Sequence, residues 1–123
     1  MPLKLLLDEN LRNDGLWLAM QTRNTAESQP LDIVRVGDAD ATPCASSDPE
    51  IIHWAAVHGR LLVSLDKTTL PRHLHEYLDA RQDSPGIVLL PGGLPIPYMV
   101  DLLFLIAFIT ESVEWANACR WIP

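Results

Sequence analysis

The sequence predicts an α/β fold, a three-layer α/β/α arrangement around a mostly parallel central sheet of about four to five strands. Three observations carry that expectation. Short apolar runs at Leu3 to Leu7, Ile33 to Val36 and Leu61 to Leu65 lack strict polar alternation, as strands covered on both faces do. Helix signals lie between these runs, so strands and helices alternate and imply right-handed crossovers. The first and third runs stop on acids, Asp8 and Asp66.

Leu3 to Leu7 reads as a central strand, and Asn10 to about Met20 as a helix carrying Leu11, Leu16, Trp17 and Met20. Thr22 to Pro30 is polar and ends in proline, a loop signature, after which Asp32 to Val36 forms a second strand. Gly37 to Ser47 is another loop. Ser47-Asp48-Pro49-Glu50 is a strong helix start, with a capping oxygen, a first-turn proline and an early acid. That helix runs to about His58 and ends at Gly59. Leu61 to Leu65 is the third strand, followed by a turn at Asp66 to Thr69 and a helix from about Leu70 to Arg81. Pro85-Gly86 introduces a fourth strand, Ile87 to Leu90, and the proline-rich Pro91 to Pro97 leads into an apolar helix ending near Ile109. The tail from Val113 to Trp121 reads as a short strand or as irregular chain.

At 123 residues the chain is expected to be one domain spanning 1–123. With 9 Lys and Arg against 16 Asp and Glu, its net charge of −7 excludes broad, sequence-blind attraction to nucleic acid or anionic membrane. Cys44 and Cys119 show no metal-ligand spacing and no disulfide framework, and no apolar stretch fits a signal peptide, so a reducing cytoplasm is the expected compartment. The apolar run from Ile96 to Ile109 contains Asp101 and falls short of the roughly 20 residues that span a bilayer. It reads as a buried helix with no membrane role, part of which is available to a second subunit in a homodimer.

In a parallel sheet the carboxyl ends of the strands open into one crevice, so acids far apart in sequence converge there. Convergent carboxylates point to a metal site. Mg²⁺ and Mn²⁺ prefer oxygen ligands and keep several waters, so two or three aspartates completed by substrate phosphate are sufficient. Two carboxylates about 4 Å apart repel by roughly 4 kcal/mol at an effective dielectric near 20, a penalty that a cation removes. Capping competes with this reading, because Asp8 can cap the helix that follows it and Ser47, Asp48 and Glu50 need no other role. Asp66 resists it, since Lys67-Thr68-Thr69 already supplies capping hydroxyls.

Leu5-Leu6-Leu7-Asp8-Glu9-Asn10-Leu11 resembles the opening of the bacterial PIN-like domain family, a branch of the PIN superfamily of metal-dependent nucleases. Asp32-Ile33-Val34-Arg35-Val36, Ser47-Asp48-Pro49-Glu50-Ile51-Ile52, Trp54-Ala55-Ala56 and Gly59-Arg60-Leu61-Leu62-Val63-Ser64-Leu65-Asp66 resemble its later blocks in order, and Pro85-Gly86-Ile87-Val88 resembles the strand after them. The resemblance covers residues 3 to 90, and more loosely the apolar helix and tail. It implies a PIN-like fold and a Mg²⁺- or Mn²⁺-dependent ribonuclease hydrolysing phosphodiesters at a carboxylate cluster. RNA is then the substrate, and the chain the toxin half of a toxin–antitoxin pair whose partner is an antitoxin protein.

Three of the superfamily's four acidic positions are matched. Asp8 matches the first-strand acid, Asp48 or Glu50 the acid opening the middle helix, and Asp66 the acid after the third strand. Thr68 stands where many members have the fourth acid and brings a hydroxyl without charge. In that picture Asp8 and Asp66 are metal ligands, Asp48 or Glu50 is a ligand or orients the water, and Asn10 hydrogen-bonds a ligand or the phosphate. Arg12, Lys67 and Arg72 are candidate phosphate contacts and equally ordinary solvated charges.

His53 and His58, and His73 and His75, lack the i, i+4 spacing by which a helix face grips zinc and read as surface or core residues. Of the four tryptophans, Trp17 and Trp54 read as core, and any that is exposed could stack a base. Two other functions compete with the nuclease: a catalytically degenerate module that acts by binding a partner protein, and a phosphoacceptor domain. The last needs a lysine at the end of its last strand, where Pro91-Gly92-Gly93 stands.

Overall fold

The computed structural model describes residues 2–122. β1 (Lys4–Leu7) leads through a 3-10 turn (Glu9–Leu11) to α1 (Asp14–Ala26) and β2 (Ile33–Arg35). Then come α2 (Asp48–Val57), β3 (Arg60–Ser64), α3 (Leu70–Asp79), β4 (Ile87–Leu89), α4 (Ile96–Ile109), α5 (Ser112–Trp115) and β5 (Cys119–Trp121). The five strands form one sheet in the order β2-β1-β3-β4-β5, and every pairing is parallel. α1 and α4 pack together on one face and α2 and α3 on the other, which is the three-layer α/β/α arrangement expected.

Two-residue periodicity divides each strand between two cores. Leu5 and Leu7 pack with Leu16, Met20, Leu103 and Phe104, whereas Leu6, between them, packs with Ile52, Leu70 and Leu74. Because both faces are covered, neither set needs polar residues, and the strand reads as one apolar run. Arg60 closes the amino edge of the sheet: its Nη1 donates to the Leu5 and Asp32 carbonyls at 3.2 and 3.3 Å, and its Nη2 to the Asp32 carboxylate at 2.9 Å. No helix among the described residues is long and apolar enough to cross a membrane.

Two boundaries differ from the sequence expectation. The first helix does not begin at Asn10, because Asn13 is extended and its side chain accepts the Leu16 N–H at 2.9 Å, a cap that starts α1 afresh. α1 then continues through the predicted loop to Ala26. Thr22 to Ala26 contains no glycine or proline, and Arg23 anchors the last turns by lying 4.4 Å over the Phe104 ring of α4.

The tail resolves into a helical turn and a strand. Trp115 is buried, with its indole N–H donated to the Thr110 hydroxyl at 2.8 Å, and β5 pairs with β4. This closure depends on Gly86, whose φ is +108° and which lies so close to the Trp115 carbonyl that an added Cβ would sit 2.1 Å from its oxygen. Gly86→Ala therefore combines left-handed strain with a backbone clash, and we expect it to destabilise the fold by roughly 3 kcal/mol. A lowered urea midpoint by circular dichroism checks this; an unchanged midpoint contradicts it.

Candidate functional site

From β1 the chain passes along α1 on one face to β2, then returns along α2 on the other face to β3. The connections diverge between β1 and β3, and in open α/β sheets the crevice at the carboxyl end of such a switch point is where ligands bind. Asp8 follows β1 directly, and Asp66 follows β3 by two residues. α2 brings Asp48 to the same edge as its first residue.

Asp8 is buried, 7% exposed. Its Oδ2 accepts the Ser64 hydroxyl at 2.6 Å and its Oδ1 the Glu9 N–H at 2.7 Å. Ser64 Oγ also accepts from Asn10 Nδ2 at 3.1 Å and from the Asp66 N–H at 3.0 Å. That hydroxyl is saturated, with one proton given and two lone pairs used. Burial pushes the Asp8 carboxyl above its ordinary value against the pull of these hydrogen bonds, and the charges of Asp48 and Asp66 push it the same way.

Asp66 is held by its own turn. Its Oδ1 accepts the Thr68 N–H at 2.9 Å, the Thr68 hydroxyl at 2.9 Å and the Thr69 N–H at 3.1 Å. Thr69 Oγ1 lies 2.5 Å from Asp66 Oδ2 and 2.6 Å from Asp48 Oδ2. A hydroxyl has one proton, so it serves one of these two carboxylates at a time. Asp48 has a second neighbour in His73, whose Nδ1 is 2.9 Å from the same Oδ2. The crevice thus sets Asp48 and Asp66 on either side of one hydroxyl, with Asp8 behind Ser64.

The remaining predicted residues fall into distinct places. Glu50 does not join the cluster. Its carboxylate accepts the Ser47 N–H at 3.0 Å while Ser47 Oγ accepts the Glu50 N–H at 3.3 Å, so it completes the capping box of α2. Asn10 reaches Ser64 and not an acid. Arg12 is engaged away from the acids by the Val36 carbonyl at 3.0 Å and Asp38 at 2.9 Å. Thr68 donates to Asp66, Lys67 lies over the Trp121 ring, and exposed Arg72 sits 3.4 Å from His73 Nε2. Neither threonine caps α3 through its hydroxyl, contrary to the expectation; the hydroxyls donate to carboxylates instead, Thr68 to Asp66 and Thr69 to Asp66 or Asp48.

Ser64, Thr69 and His73 also belong to the site, although the sequence assigns Thr69 to capping and His73 to surface or core and gives Ser64 no role. Thr69 and His73 are i, i+4 partners at the start of α3 and so share a face, and Ser64 is the lone hydroxyl in an apolar strand. Both signals were present in the sequence.

The donors are hard oxygens suited to Mg²⁺ or Mn²⁺. Among the described residues, however, no group of three or more His, Cys, Asp or Glu side chains is spaced to enclose a metal ion. A cation here would be held by one or two aspartates and complete its shell with water and phosphate, as Mg²⁺ commonly does. Two adjoining clefts of about 540 and 510 Å³ lie elsewhere, along α1 and α4. Comparison with protein-family models, curated proteins and solved structures returns no match, so the PIN-like resemblance rests on this chain's residues alone.

The acids have opposite pH signatures. Burial raises the Asp66 carboxyl, but the Thr69 hydroxyl and the Thr68 and Thr69 N–H groups outweigh it and hold the group at about 2, against an ordinary 3.8. Its folded value being depressed, the stability it contributes is present above about pH 4 and lost as pH falls toward about 2. Asp8, whose value is raised, contributes stability that is present at low pH and lost as pH rises through its folded value. Asp66→Asn is expected to flatten the acid limb of stability between about pH 4 and about pH 2, measured by urea unfolding; an unaltered limb contradicts the assignment.

Proposed function

We propose that the chain is a Mg²⁺- or Mn²⁺-dependent phosphodiesterase acting on RNA, with Asp8, Asp48 and Asp66 as its working acids. The observation that carries this reading is their convergence at the switch point of a parallel sheet, where one hydroxyl proton faces two carboxylate oxygens. Two anionic oxygens sharing one proton favour a cation close by. When bound, that ion would neutralise the phosphodiester and activate a water.

The chain's own groups divide the remaining work. Asp48 and Asp66 would hold the cation. Asp8, held by the Ser64 hydroxyl and the Glu9 N–H, lies behind them. His73, fixed by Asp48 through Nδ1, turns its other nitrogen toward Arg72 and solvent. Lys67 and Arg72 are exposed beside the acids and contact substrate phosphates, supplying the local positive charge that a net charge of −7 does not supply broadly. The toxin role and an antitoxin partner are proposed on the resemblance alone.

A specific observation favours a second reading, a catalytically silent module acting through protein contact. Leu18, Leu105 and Ile109 are 69%, 54% and 71% exposed along the α1–α4 clefts, a larger apolar surface than scattered residues make. Arg23, Glu27 and Asp101 place both charge signs on that face, which suits a second copy of the chain.

Purified protein given a mixed single-stranded RNA pool separates the two. The nuclease reading expects cutting with Mn²⁺ or Mg²⁺, none in EDTA, and a loss of about a hundredfold or more in Asp8→Asn and in Asp66→Asn. Equal cutting by the variants, which is the mark of a contaminant, or no cutting at all, removes that reading. The module reading expects no cutting and a concentration-dependent dimer that Leu105→Glu dissociates in sedimentation.

A further inference from the structure

Resting on the nucleic-acid reading above, we infer that Trp121 is a nucleobase platform on the outer wall of the acid crevice, with Lys67 beside it for the adjoining phosphate. The other three tryptophans are buried or half-buried: Trp115 on Thr110, Trp17 4.2 Å under the Arg35 guanidinium, and Trp54 stacked on His58 at 3.8 Å. Trp121 is 53% exposed.

Its register gives its place. Trp121 pairs with Leu89, and Leu89 with Ser64, whose hydroxyl holds Asp8. The Trp121 backbone is therefore two strand spacings from that of Ser64, about 10 Å at about 4.8 Å per strand. Registered neighbours in a parallel sheet share a face. Leu89 packs in the α2–α3 core and Cys119, two residues before Trp121, packs against it, so the indole lies on the face that carries α2 and α3. The Lys67 Nζ is 5.6 Å from the ring centroid, and Lys67 directly follows Asp66. A base stacked on the free indole surface places its phosphate toward Lys67 and the next phosphodiester toward Asp66.

Charge favours this class of ligand contact. A chain of net −7 cannot gather a polyanion by long-range attraction. Affinity for a single strand must then come from stacking, which every base can make, reinforced by a cation held locally.

The test is binding of a fluorescent single-stranded oligouridine to the full chain in EDTA, read by anisotropy, beside an abasic strand of equal length. The native protein is expected to bind the abasic strand about tenfold more weakly, Trp121→Ala to bind oligouridine about tenfold more weakly, and Trp121→Phe to stay within about twofold of native. Equal binding of the two strands by the native protein overturns the platform without requiring any variant to fold. So does oligouridine binding unchanged in folded Trp121→Ala, or no binding of either strand, which leaves the exposed edge to pair with a protein strand instead. Base-dependent binding without metal-dependent cutting would uphold the platform while removing the nuclease reading, and cutting with base-independent binding would do the reverse.

Discussion

The pairing of β1 with β3 is the constraint on which the rest of the structure depends. These two strands occupy the middle of the sheet, and their residues Leu5, Leu6, Leu7, Leu62 and Val63 are almost wholly removed from water. They also form the switch point, so the same contact that centres both cores decides which loops meet at the carboxyl edge. The ladder continues one residue further, as the Asp8 N–H donates to the Val63 carbonyl at 2.8 Å, and it ends in the hydrogen bond from Ser64 to Asp8. Hydrophobic burial on two faces thus fixes an aspartate at a place where water is scarce.

Saturated and unsaturated hydroxyls divide the crevice. Ser64 has one acceptor for its proton and two donors for its oxygen, so it cements Asp8 and Asn10 to β3. Thr69 has two acceptors for one proton, so the Asp48–Asp66 side is where a cation gains most. Asp66 is already stabilised as a carboxylate by its turn, whereas Asp8 is opposed by burial. Asp8 and Asp66, chemically identical side chains, therefore differ in their readiness to ionise, set by environment alone.

The sheet was legible because parallel strands covered on both faces leave continuous apolar runs, and because Pro49 with Ser47 and Glu50 mark a helix start without ambiguity. The first helix was misplaced because Asn13 competes locally for the backbone, a choice that apolar spacing does not register. Asp48 and Glu50 could not be told apart along the sequence. They lie two residues apart at one helix start, and only the capping box, which turns Glu50 back onto Ser47, separates them. His73 carries no signal in histidine spacing, because its partner is a carboxylate on another helix, Asp48. The closing strand depends on Gly86 accepting Trp115, a tertiary contact with no local signature.

Parallel crossovers have an electrostatic consequence. Every helix that follows a strand in this sheet begins at the carboxyl edge, so α2 and α3 both direct their amino termini at the aspartates. Each such terminus acts as roughly half a positive charge, and the pair returns about one unit to a cluster of three acids. The backbone thereby supplies part of the countercharge that a metal would bring. On the proposed reading, a cation would therefore add to a countercharge that the two helix termini already provide.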